Sequence, residues 1–122
     1  MAEYPFIIAL QEVCAANGLI NLIYTVPSGE TYKLTDLIWD ATGEFNVTSI
    51  RSSQSLYHTN ADQNTPIPSS HLKQVEQLYN FLNPFAIPMI VNATNNLIID
   101  VQDTSGAQNT INISIAAIRI TQ

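Results

Sequence analysis

His58 and His71, with Asp62 near the first, are the residues that come closest to a metal or acid–base site. They are the only histidines and stand thirteen positions apart. A zinc centre takes three or four ligands at recurrent spacing, and no further ligand falls in step with this pair. They read as exposed loop or helix-cap histidines, so no metal or other cofactor is expected and replacing either should change little. A serine nucleophile needs a positioned base and an orienting acid. Ser28, in Val26-Pro27-Ser28-Gly29-Glu30, lacks the Gly-x-Ser-x-Gly frame of a nucleophile elbow. The acid pairs Asp36/Asp40 and Asp100/Asp103 have the types for a carboxylate dyad or calcium ligands, but they read as solvated acids flanking turns. Cys14 is the single cysteine, which excludes an internal disulfide, and its apolar neighbours make it a buried thiol. Trp39 beside Asp40 has the chemistry of a sugar platform, an apolar ring next to polar groups; a Trp covering the end of a sandwich is the structural alternative. No catalytic signature emerges, and the chain is not expected to be an enzyme.

The elements that carry these residues are bounded first by composition. The 122 residues make one domain, 1–122, long enough to bury a core. Hydrophobic residues are 46% and charged residues 11%, against about 25% charged in ordinary soluble domains. Such a surface is weakly repulsive and suited to packing against copies of itself. The net charge is −6, and the four cations, Lys33, Arg51, Lys73 and Arg119, are scattered. Nucleic-acid binding draws on clustered Lys and Arg, so it is not expected. No apolar run reaches the ~18 residues of a membrane span. Glu3 and the lack of a basic leader argue against a signal peptide, so synthesis in the cytoplasm is expected.

Period-two patterning dominates. Ile20, Leu22, Tyr24 and Val26 form one face of a strand; Tyr32, Leu34 and Ile38 share a face of the next, interrupted by Asp36. Pro27 and Gly29 supply a turn between them, so Ile23 to Ala41 reads as a hairpin. Leu97, Ile99 and Val101 alternate with polar or outward positions, as do Ile111, Ile113 and Ile115. The polar stretch Gln102–Asn109 joins these two runs, which are expected to pair antiparallel. Residues 5–16 carry both helix punctuation, Pro5 and Gly18, and the strand alternation Phe6, Ile8, Leu10, which favours a strand. Between the fourth and fifth of about seven strands lies an insertion, 52–84. It opens as a long loop and continues as a helix capped by Ser69 or Ser70, with Leu72, Val75, Tyr79 and Leu82 on one face and Pro84 at its end. The pattern predicts an all-β antiparallel sandwich with one helix in a long insertion.

Tyr24 to Trp39, "YTVPSGETYKLTDLIW", resembles a phrase in small β-sandwich proteins of bacteriophage particles: a strand, Val-Pro-small-Gly, then a polar strand with Leu-Thr-Asp. Pro84 to Ile120 is similar to the ending of such proteins, a Pro-rich strand, a Ser-Gly-x-x-Asn turn and an isoleucine-rich last strand. Residues 19–51 and 84–120 carry the likeness. It implies a jelly-roll-like sandwich and a virion structural role: minor capsid, decoration, connector or spike-base component. The partners implied are further copies, as a trimer or pentamer, and other virion proteins. The uncharged run Thr110–Ile118 is expected to be a sheet edge that assembly covers. An insertion with few apolar groups is expected to order against partner surface, with Tyr57, His58, Ile67, Leu72, Tyr79 and Trp39 as candidate interface residues. The competing class is a carbohydrate-binding β-sandwich, with Trp39 or loop tyrosines as platforms.

Overall fold

The computed structural model describes residues 2–53, 57–72, 84–85 and 88–121. They form eight strands: β1 Ala2–Cys14, β2 Leu19–Thr25, β3 Glu30–Ala41, β4 Phe45–Ser52, β5 Ile67–Pro68, β6 Met89–Val91, β7 Asn96–Asp103 and β8 Asn109–Thr121. Two antiparallel four-stranded sheets run in the orders β1-β8-β3-β6 and β2-β7-β4-β5 and pack as a β-sandwich. The ambiguous N-terminal segment is a strand, paired along its whole length with β8. The count exceeds the expected seven because the insertion itself contributes β5, two residues laid on Asn46 and Val47.

Two expected pairings are absent. β2 and β3 do not form a hairpin: β2 pairs with β7, and β3 with β8 and β6. Gly29 takes φ +80° as expected of the turn, but that turn carries the chain from one sheet to the other. Likewise β7 and β8 lie in different sheets, so Gln102–Asn109 bridges the sandwich rather than closing a hairpin. The same arrangement puts β8 between β1 and β3, where both its backbone edges are paired. It is no exposed edge, and its lack of charge reflects a central position. The long edge is β1.

The inward faces follow the period of two. Ile111, Ile113 and Ile115 are fully buried, as are Leu97, Ile99 and Val101 opposite. In β3 the alternation changes phase. The register against β8 slips between Leu34 and Asp36, so Thr35 is an extra residue and the strand bulges. Tyr32 and Leu34 point inward before the bulge, and Leu37 after it. Ile38, expected inside, is therefore exposed on the outer face. A similar slip between Val47 and Ser49 makes Thr48 the extra residue of β4.

The expected helix lies mostly outside the described residues, Val75, Tyr79 and Leu82 among them. Its described start, Ser69–His71, is one 3-10 turn, and Leu72 is already extended at φ −83°, ψ 143°. Ser69 does not cap it. The residue is buried, and its Oγ accepts a hydrogen bond from the Phe45 amide at 3.2 Å.

Candidate functional site

The outer face of β2-β7-β4-β5 carries a cleft of about 410 Å³, within the usual range for small-molecule sites. Its floor is built from outward positions on three strands. Asp100 of β7 sits opposite Asn21 of β2 on one side and Ser49 of β4 on the other. Arg51, two residues along β4, reaches back to it.

Asp100 is the centre of a satisfied polar network. Its Oδ2 accepts from Ser49 Oγ and, at 3.0 Å, from Arg51 Nε; its Oδ1 accepts from Arg51 Nη2 at 3.5 Å. With its amide nitrogen turned toward the carboxylate, Asn21 donates to Asp100 Oδ1 at 2.9 Å. A carboxylate has about four acceptor sites, and all are engaged. Asp100 therefore orients Arg51 rather than offering itself to a ligand. The pair is neutral as a unit and partly exposed, with the Nη1 side of the guanidinium unbonded among the described residues.

One wall comes from the insertion. After β4 the chain doubles back, Tyr57 bridges to Arg51, and the His58 amide donates to the Ile50 carbonyl at 2.8 Å. Tyr57 is 62% exposed and lines the cleft. Farther on, Asp62 Oδ1 accepts from the amides of Asn64 and Thr65 at 2.8 and 2.7 Å, a local ring that shapes the Ala61–Gln63 rim. Ala61 is buried beneath it.

Of the candidate residues singled out from sequence, Tyr57, Asp62 and Asp100 line the cleft. His58 is not a free loop histidine: its Nε2 donates to the Pro84 carbonyl at 2.6 Å and its ring lies 5.5 Å from that of Phe85. His71 is exposed. Ile67 packs on the core half-buried, and Leu72 is wholly buried, so Leu72 gives no surface to a partner. Trp39 points inward with its edge on Phe45, ring centroids 5.0 Å apart, and its Nε1 is buried without a partner among the described residues. It is a packing residue and not an exposed sugar platform. Tyr79 lies outside the described residues. Within the described part of the insertion, Leu72 is enclosed and Ile67 half-buried against the chain's own core, while Tyr57 stays exposed.

Asp36 and Asp40 share the outer face of β3, whereas Asp100 and Asp103 separate. Asp100 is on the outer face, whereas Asp103 is 1% exposed at the end of the sandwich, not a solvated acid. Burial would raise the Asp103 pKa, but hydrogen bonds from Ser105, Asn17 and Asn109 outweigh it and hold the carboxyl well below its ordinary range. Among the described residues, no three of His, Cys, Asp and Glu stand together as a metal-binding group, and no helix is long and apolar enough to cross a membrane. Cys14 is fully buried, its thiol donating to the Gly18 carbonyl at 3.2 Å. No family model, no curated protein and no solved structure matches this chain.

Asn21, Ser49 and Arg51 were not singled out by sequence. The available signal is weak: each is a polar residue at an outward strand position, and only strand register shows that they converge on Asp100.

Proposed function

We propose that the protein is a non-enzymatic structural component of a bacteriophage virion, acting through contacts with further copies of itself and with other virion proteins. The observation that carries this reading is the outer face of β1-β8-β3-β6. Cross-strand rows there read Pro5–Ile118–Lys33–Ile90, Ile7–Ala116–Asp36 and Ala9–Ser114–Ile38. Ile7 is 70% and Ile90 58% exposed, and Ile38 and Val13 are exposed with them. Contiguous exposed apolar surface of this kind marks interaction sites. The face carries Lys33 together with the acids Asp40 and Glu3, so charges of both signs are available to pair across a self-complementary contact. The thirteen-residue strand β1, an edge among the described residues, adds a row of backbone groups with no described strand beyond it and only Pro5 and two glutamates to blunt it.

The strand orders support the finer fold reading. Eight strands in the orders 1-8-3-6 and 2-7-4-5, with nearly every connection crossing between sheets, suit a jelly roll. That architecture serves viral capsid proteins, and lectin domains and cupins as well, so it bears on fold more than on role. The virion assignment itself rests on the sequence likeness, as does the preference for a trimer over a pentamer.

The test is solution mass by light scattering for wild type and for Ile7→Lys, a change at an exposed position that leaves the core intact. A wild-type oligomer of fixed stoichiometry that dissociates in Ile7→Lys is expected. A wild type that is monomeric and absent from particles would overturn the structural role. An Ile7→Lys protein that assembles like wild type would remove this sheet as the interface.

A further inference from the structure

We infer that the cleft on the β2-β7-β4-β5 sheet is a binding site for a neutral saccharide, with Arg51 and Tyr57 as the ligand-contacting residues. This is independent of assembly, since the site lies on the sheet opposite the apolar face of β1-β8-β3-β6. Three observations carry it. First, the guanidinium is oriented before any ligand arrives. Asp100 grips its Nε edge, and Ser49 and Asn21 fill the remaining acceptor sites of that carboxylate. Arg51 thereby presents outward donors at a fixed position, which limits the side-chain entropy lost on binding.

Second, the exposed phenol ring of Tyr57 rises beside that donor, tied to the same strand by its backbone bridge to Arg51. An aromatic face next to fixed polar groups matches a sugar ring, which has an apolar C–H face and a hydroxyl rim. Gln63 and Thr48 add neutral hydrogen-bonding groups to the lining, and Leu19 adds an apolar one.

Third, the charge balance selects against ions. Arg51 and Asp100 cancel, Asp62 adds a negative charge at the rim, and the chain carries −6, so an anion meets net repulsion. A metal ion lacks ligands, because the Asp100 carboxylate is filled and Asp62 Oδ1 is held by two backbone amides. A neutral polyol of one or two rings remains as the chemistry that fits the volume and the donors.

The experiment is a titration of the isotope-labelled protein with methyl glucoside, methyl galactoside, N-acetylglucosamine and, as an acidic probe, N-acetylneuraminic acid, followed by NMR. Expected is saturable binding of at least one neutral sugar. Shifts should fall at the amides of Tyr57, Gln63 and Asp100 and at Arg51 Nε. Arg51→Gln and Tyr57→Ala should each weaken that binding by about tenfold or more. Tyr57→Ala is the safer variant, because the side chain is exposed and its loss leaves the core untouched; an unchanged melting temperature verifies this. No saturable shift with any neutral sugar, binding of the acidic probe alone, or full affinity retained in a folded Tyr57→Ala would each overturn the assignment.

Discussion

Asn109 Nδ2 donates to Asp103 Oδ1 at 3.0 Å, both side chains wholly enclosed at one end of the sandwich. Around this contact three loops are tied together. Asp103 also accepts from the amides of Asn17, Ser105 and Gly106 and from Ser105 Oγ. Asn109 in turn accepts from the Gly43 amide and donates to the carbonyls of Gly43 and Glu44. The β1–β2, β3–β4 and β7–β8 connections, which all pass between sheets, are thus closed by one buried acid and one buried amide. Breaking a saturated network leaves donors without partners in a dry site, which is costlier than never having formed it.

Asp103→Asn should therefore destabilise the fold by about 1–3 kcal/mol at neutral pH, because an amide cannot accept from all these donors. The effect should depend on pH in a defined direction. The folded carboxyl is held below its ordinary range, while in the unfolded chain it titrates near ~3.9. Its contribution is fully present above that unfolded value and is lost as pH falls below it, where only the unfolded state takes up the proton. Urea unfolding of both proteins should show a gap that is constant near neutrality and narrows below about pH 4. A gap that widens on acidification would contradict the network as described.

Gly43→Ala should be destabilising for a steric reason. A Cβ at this position would stand 2.6 Å from Ser105 Cβ, far inside the ~3.5–4.0 Å of carbon contacts. The two loops cannot separate freely, because Asn109 bonds both the amide and the carbonyl of Gly43. A loss of about 1–3 kcal/mol is expected, the range for overpacking, and thermal unfolding would measure it. An unchanged melting temperature would show that the loops yield.

The two histidines should part company. His58→Ala removes the donor to the buried Pro84 carbonyl and the ring packed on Phe85, so about 1–3 kcal/mol of stability should go with it. His71→Ala, at an exposed position, should stay within about 0.5 kcal/mol. Equal and negligible effects in denaturant titrations would restore the view of both as free surface groups.

Much of the fold was legible from local pattern. The alternation of Ile111, Ile113 and Ile115, of Leu97, Ile99 and Val101, and of Leu22 with Val26 identified inward faces without any knowledge of partners. Such alternation is a property of a single strand, since successive side chains point to opposite sides wherever the strand sits. The same locality explains why Ile38 was misplaced. One extra residue at Thr35 reverses the phase, and a bulge is defined by the opposing strand, here β8, rather than by β3 itself.

By itself, then, the sequence determined that this chain is built of strands, which residues of most strands face a core, and where the chain turns. Only the tertiary structure decided which strands pair. The Pro27–Gly29 turn has the residues of a hairpin yet joins two sheets, and β8 is central because β1 and β3 flank it from distant parts of the chain. Those choices rest on contacts far apart in sequence, whose energy no local window contains. The cleft depends on them entirely: Asn21, Ser49 and Arg51 meet Asp100 because the registers of β2 and β4 against β7 bring three separate segments to one place.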